Sequence, residues 1–363
     1  MRPILKTLGV ALLTAGAMNL QTLYAQNTPV TTAEAEKLSM QLEESMIKGD
    51  PGMLNHLIYF PEFITRTRSR SPIINNFDTL TKIADAFGLF NIGNSTLEIT
   101  KNGSYKLVHG FLKNDEMHLL FRAFGDGGLN YQEITLIKVK DSIRAADIFS
   151  YELGESYAKL FSYLIEDMAA VDAHASMTSR EKYGTIFQNA LSRKNYSAAR
   201  SAFEKFDEQT QNDKHLSIQY MMACDQLGEK LFRKSVDHFV AIYPDEPTSY
   251  LYMMKEYADT RDFQDYGRSI DKLDTLLHID PFLNYYRGNV EMKLGDLRAA
   301  LHFYQEVFDY DPGIWQNTEK LVACKVVNNE LAQAGEAINV YTHTPGYRKE
   351  LVEALYADYP SLK

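Results

Sequence analysis

The spacing of apolar residues changes period twice along the chain, and the changes divide it into three stretches. From Thr32 to about Lys48 the apolar positions recur at helical spacing, after a Thr32-Ala33-Glu34-Ala35 opening that offers a cap and an early acid. Gly49-Asp50-Pro51 stops that helix and starts another, Met53 to about Ile64, which carries Leu54, Ile58 and Phe60. A third helix is expected over Asn75–Phe87, with Phe77, Leu80, Ile83 and Phe87 on one side. The pattern then alternates. Strands are expected at Ser95–Thr100, Tyr105–Leu112, Glu116–Phe124, Asn130–Val139 and Ile143–Phe149. Asn102-Gly103, Asn114-Asp115 and Gly125-Asp126-Gly127-Gly128 supply hairpin turns between them.

Short turns between successive strands make an antiparallel meander, and helices followed by such a sheet make an α+β domain. Its expected extent is residues 30–172, including the exit helix that runs from Glu152 to about Thr178 with Leu160, Phe161, Leu164, Met168 and Val171 as its stripe. Along Glu116–Phe124, the residues Met117, Leu119, Phe121 and Ala123 form a dry face. His118, Leu120, Arg122 and Phe124 fall opposite. That second face is half apolar, so it is expected to be covered or pocketed.

The third stretch, residues 180–363, is helical throughout and repeats itself. Pro247, Pro281, Pro312 and Pro345 follow one another at 34, 31 and 33 residues. Small residues recur at Ala199, Ser235, Ser269, Ala300 and Ala337, each followed one helical turn later by Phe203, Phe239, Leu273, Tyr304 or Tyr341. These markers give about five helical hairpins between Lys182 and Thr344, closed by a capping helix from Arg348 to Tyr356.

The best-formed unit is Pro281–Pro312, with Gly288 where a second helix could approach, a turn at Gly295-Asp296, and Ala300, Tyr304 and Val307 on one face. It resembles a tetratricopeptide repeat. The resemblance implies an all-α solenoid with a concave groove lined by the first helix of each hairpin. Tyr220, Met254, Arg261, Tyr285, Asn289, Met292 and Lys293 then fall on the groove, and their mixed apolar and basic character suits a protein or peptide partner. For each of them the alternative is packing against a neighbouring repeat. Tyr257 and Lys325 stand where the repeat pattern wants a small residue. Residues 30 to 155, by the order of their elements, resemble the cone-shaped NTF2-like fold. In that case His109, His118, Arg122 and Asp147 could face a ligand pocket or acid/base site. The alternative is the polar side of a sheet.

Charge narrows the partners. The formal net charge is −10, which disfavours nucleic acid and anionic membrane surfaces. Met1–Ala25 has a basic start at Arg2 and Lys6, an apolar run from Leu8 to Met18, and a small residue at Ala25. It reads as a secretory signal peptide without a lipid-anchor cysteine, so no stable membrane anchor is expected. The expected destination is the periplasm or the exterior of a Gram-negative cell. Cys224 and Cys324 are placed three repeats apart, too far to pair. No nucleotide-binding or hydrolase motif appears, no metal-ligand spacing, and no catalytic residue or cofactor is expected. Gly125–Gly128 lies between strands and reads as a turn rather than a phosphate cradle. Arg66, Arg68 and Arg70 alternate in a connector, as a solvated basic patch or an anion contact. The reading is therefore an exported interaction scaffold, with a small-ligand protein or enzyme sited in the N-terminal domain as the alternative.

Overall fold

The structure is a computed structural model and describes residues 29–68, 77–86, 88–171, 179–257 and 262–362. The N-terminal part opens with α1 (Thr32–Ile47), α2 (Gly52–Asn55), α3 (Phe60–Arg68), α4 (Phe77–Ala86) and α5 (Ile92–Ile99). A capping box starts α1, in which the Thr31 hydroxyl accepts from the Glu34 amide and the Glu34 carboxylate accepts from the Thr31 amide. Five strands follow: β1 (Ser104–Lys113), β2 (Glu116–Gly125), β3 (Gly128–Val139), β4 (Ser142–Ser150) and the short β5 (Glu155–Ser156). They form one sheet in the order β1-β2-β3-β4-β5, every pair antiparallel.

Three elements depart from expectation. The helix expected over Met53 to Ile64 is broken into α2 and α3, and Ile58 between them bridges Ala145 of β4. The exit helix expected from Glu152 starts only at Tyr157, because Glu155–Ser156 forms β5. Residues 95–100 are not a strand, because α5 occupies Ile92–Ile99. Six residues containing Leu97 and Ile99 look alternating, but Ile92, Thr96 and Ile99 together have helical spacing. Thr96 is fully buried and its hydroxyl bonds back to the Ile92 carbonyl. Gly93 allows the helix to lie against the α2 region, since a Cβ there would fall 2.4 Å from the Pro51 carbonyl oxygen.

The dry face of β2 behaves as its sequence requires. Met117, Leu119, Phe121 and Ala123 join Leu42 of α1 and Phe63 of α3 in a continuous buried core. Helix α6 (Tyr157–Val171) closes that core with Phe161 and Ile165. The sheet is thus covered on this side by the helices that precede and follow it.

The C-terminal part is a run of helices: α7 (Ser179–Ser192), α8 (Tyr196–Phe203), α9 (Glu208–Gln211), α10 (Lys214–Asp225), α11 (Glu229–Ile242), α12 (Pro247–Tyr257), α13 (Phe263–Leu276), α14 (Asn284–Leu294), α15 (Leu297–Tyr310), α16 (Trp315–Val327), α17 (Leu331–Thr342) and α18 (Lys349–Asp358). Apart from the one-turn α9, they pair as α7/α8, α10/α11, α12/α13, α14/α15 and α16/α17, and each pair packs on the next. The small residues Ala199, Ser235, Ser269, Ala300 and Ala337 are all buried, as are their partners one turn on, Phe203, Phe239, Leu273, Tyr304 and Tyr341. Val352 and Leu355 of α18 bury against Ala334, Ile338 and Tyr341 of α17, which closes the end of the array. Lys325, at the position matching Gly288, is buried, and its ammonium lies 3.9 Å from Glu330. Cys224 and Cys324 are free, buried thiols in α10 and α16, and burial pushes both pKa values up.

Gly288 gives the closest contact within a hairpin. A Cβ there would fall 2.5–2.9 Å from atoms of the Tyr304 ring, which is fully buried and cannot swing away. Gly288→Ala is therefore expected to cost about 1–3 kcal/mol by overpacking. Urea unfolding would read it; an unchanged midpoint would mean that α14 and α15 are not in this register.

Candidate functional site

The half-apolar outer face of the sheet is covered by the chain's own helical repeats. The contact runs along the loops between hairpins and the first turns of α10, α12, α14 and α16. After β4, the Thr248 hydroxyl at the start of α12 donates to the Tyr151 carbonyl at 2.7 Å. Gly154, at φ +63°, fits closely there. A Cβ on it would lie 2.8 Å from Ile218 and 2.9 Å from Thr248. In the middle, Asp280 receives both β3 and β2. The Tyr131 hydroxyl donates to its Oδ2 at 2.8 Å, and Arg122 Nη1 donates to its Oδ1 at 2.6 Å. Beyond it, Phe124 of β2 packs on Phe282, with ring centroids 4.6 Å apart. At the far end, Asn102 accepts from Gln316 and from Arg348, and Lys106 lies 4.0 Å from Asp311.

Arg122 and Asp280 are both fully buried. Asp280 also caps its own short turn by accepting from the Phe282 amide at 3.1 Å. The guanidinium sits 4.2 Å above the Phe282 ring, which offers a cation–π contact. Among the described residues its Nε and Nη2 have no hydrogen-bond partner. Burial alone would lower the Arg122 pKa, but the adjacent Asp280 carboxylate outweighs it and the value is raised. Burial, then the same carboxylate, pushes the Tyr131 phenol well up.

The other pocket candidates also have partners within the chain. His118 Nδ1 is 2.8 Å from Glu133 Oε1, and its ring stacks on Phe111 at 5.3 Å. Burial pushes the Glu133 carboxyl up, but hydrogen bonds from His118 and Lys113 outweigh it and hold the pKa down. The Asp147 carboxylate accepts from the Ile148 amide at 2.9 Å and the Ala158 amide at 3.0 Å, which ties β4 to the first turn of α6. His109 faces His278 across the seam at 6.0 Å between ring centroids. Burial, and then His278, hold its pKa below the ordinary value. The four residues therefore do not line one common site. Three of them, His109, His118 and Arg122, lie on the covered face, and Asp147 caps a helix.

The groove candidates divide. Tyr220 stacks on Phe203 of the preceding hairpin, with centroids 4.0 Å apart. Met254 is buried in the cluster that joins Leu120, Tyr131 and Tyr151 of the sheet to the repeats. Tyr285 packs against Phe124 at 5.6 Å. Asn289 accepts from the Tyr304 hydroxyl at 2.8 Å within its own hairpin. Met292 and Lys293, near the end of α14, are exposed. Met292 is 42% exposed, with its sulfur 3.5 Å from Cys324 Sγ, and Lys293 lies 5.7 Å from the Phe263 ring. Arg261 lies outside the described residues, as do Arg70 and the side chain of Arg68. Arg66 pairs with Glu62 and Glu116 rather than standing in a free basic patch.

Sequence reasoning missed Asp280 and Tyr131. Asp280 reads as an ordinary cap before Pro281, and nothing local links it to a strand 158 residues earlier. The one available signal was the mixed face of β2. Among the described residues no cluster of His, Cys, Asp and Glu suits a metal ion, and no helix is long and apolar enough to cross a membrane.

No protein-family model matches the chain, and no curated protein matches it. Solved structures of MamA do. A crystal structure of MamA protein matches at 14% identity and a TM-score of 0.40, covering 50% of this chain and 95% of its own. The 41-end form of MamA from Desulfovibrio magneticus RS-1 matches at 16% identity and a TM-score of 0.41, covering 50% of this chain and 98% of its own.

Proposed function

We propose that this protein is an exported scaffold, periplasmic or extracellular, whose tetratricopeptide-like repeats hold a protein or peptide partner. Met1–Ala25 serves as its secretion signal in this reading. The N-terminal module, which shares the helices-then-meander order of NTF2-like domains, braces the repeats. One observation carries the binding assignment. The sheet takes the first turns of the repeat helices and leaves Met292, Lys293 and Leu294 at the end of α14 and Val327 at the end of α16 exposed. Met292, Leu294 and Val327 are 42, 58 and 69% exposed. Large apolar side chains left uncovered beside a lysine suit an amphipathic partner segment. The engagement of Arg122, His118 and Asp147 within the chain supports a bracing role for the sheet.

A photo-cross-linking residue placed at Met292 in the native host should capture one discrete partner. The same residue at Lys230, exposed on the second helix of another hairpin, should not. Leu294→Asp with Val327→Asp should reduce the capture at least about tenfold at an unchanged melting temperature, as expected of interface anchors. Equal capture from both positions, or capture indifferent to the two aspartates, would sink the reading.

A further inference from the structure

A second surface of the N-terminal module has the makings of a ligand site. A concavity of about 570 Å³ lies between residues 56–59 and the β3–β4 hairpin. Ile58 and Val139 give it an apolar side; His56, Tyr59, Lys140 and Arg144 supply the polar groups. Its walls are fixed to each other by backbone. Ile58 bridges Ala145 in parallel, the Tyr59 amide donates to the Ala145 carbonyl at 2.8 Å, and the Ala145 amide donates to the Leu57 carbonyl at 2.9 Å. Arg144 Nη1 donates to the His56 carbonyl at 2.9 Å, which anchors the guanidinium and leaves the rest of its fork available.

The charged groups that line the concavity are basic. The chain's net charge is −10, and Lys106, Lys113, Lys138 and Arg287 are all matched by carboxylates. Among the described residues, Lys140, Arg144 and His56 pair with none, and no Asp or Glu lines the concavity. Lys140 and Arg144 put two positive charges on one hollow, and an anion placed there is attracted to both. An arginine fork beside a lysine is the arrangement that recognises a carboxylate or phosphate. The phenol ring of Tyr59 with Ile58 and Val139 provides contact for an uncharged body, and the volume falls within the roughly 300–1,000 Å³ usual for small-molecule sites.

We propose that this concavity binds a small molecule carrying one oxyanion group, a carboxylate or a phosphate, on an apolar body. Lys140 and Arg144 hold the anion, and Tyr59, Ile58 and Val139 take the body. The site is independent of the repeat groove and of any partner held there.

Calorimetric titration of the full mature chain with phenyl phosphate and with benzoate tests it, with benzyl alcohol as the uncharged control. At least one anion should bind saturably at one per chain, and benzyl alcohol at least about tenfold more weakly. Lys140→Gln and Arg144→Gln should each weaken the anion about tenfold without moving the melting temperature, and Arg144→Lys should recover part of the loss. No saturable binding by either anion would overturn the proposal, as would binding that survives both glutamines. Vesicles of phosphatidylglycerol form the last arm. Retention on them that Lys140→Gln abolishes, with no binding of the soluble anions, would assign the hollow to a lipid headgroup and overturn the small-molecule site.

Discussion

Asp280→Ala is expected to destabilise the protein by about 3–5 kcal/mol, the usual cost of removing one partner from a buried ion pair. The substitution leaves the Arg122 guanidinium fully buried without its carboxylate. It also strands the buried Tyr131 hydroxyl and uncaps the turn at Phe282. Two Arg122 nitrogens already lack hydrogen-bond partners among the described residues, so without Asp280 the charge keeps no carboxylate and is left to aromatic neighbours such as Phe282. Removing both charges at once is a different matter. An Arg122→Met, Asp280→Leu double variant keeps apolar bulk against Phe282 and should recover part of the loss, because neither desolvated charge remains, while the Tyr131 hydroxyl and the Phe282 amide stay without their acceptor. Urea unfolding of Arg122→Met, Asp280→Leu and the double variant closes the cycle. A loss below about 1 kcal/mol for Asp280→Ala would mean that sheet and repeats do not meet at this pair.

Acid should weaken the molecule in a defined window. His215 stacks on Tyr163 of α6, with ring centroids 5.1 Å apart, so it sits between the exit helix and the first turn of α10. Burial is the chief cause that pushes its pKa down to about 4, with Arg180 adding to it and Asp213 opposing. The unfolded chain binds that proton near pH 6.5, so between about 6.5 and 4 it holds more protons than the folded one. Stability is therefore intact above pH 6.5, falls as the pH drops, and is lower by up to about 3 kcal/mol at pH 4 from this group alone. His109, beside His278, Asp280 and Glu133, is lowered as well and acts in the same direction. Denaturant unfolding at pH 7.5 and pH 5 should show the decline, and His215→Gln should flatten a large part of it. An equal decline in His215→Gln would remove His215 as the cause.

What was legible in the sequence was mostly what is local. Ala300 and Tyr304 are one turn apart on one helix, so their shared burial follows from spacing alone. The hairpin turns that join β1 to β4 are equally local. The error at residues 95–100 came from a window too short to distinguish Thr96–Ile99 in a helix from Leu97–Ile99 in a strand. The seam is another kind of failure. Arg122 and Asp280 belong to segments each complete in itself, and no periodicity records which surface meets which. Only Leu120 and Phe124, apolar on the face that should have been wet, indicated that something covers it. The basic hollow was illegible for a similar reason, since His56 and Arg144 converge through a backbone bridge and not through a motif.

The strands meet the repeats in order: the chain beyond β4 touches α10 and α12, β3 and β2 share Asp280 ahead of α14, and Asn102 before β1 reaches α16 and the start of α18. An unbraced solenoid is elastic and open-ended, and its units can melt from either tip or be added and dropped over evolutionary time. Here the sheet acts as a ruler laid along the array. Inserting one hairpin would move the later junctions away from the sheet residues they now meet, so the sheet constrains the number of units it spans. The curvature of the array is set by the same gauge. If a partner docks on the exposed helix ends as proposed, it meets a surface braced from behind by the sheet, which favours selection by fit over adjustment.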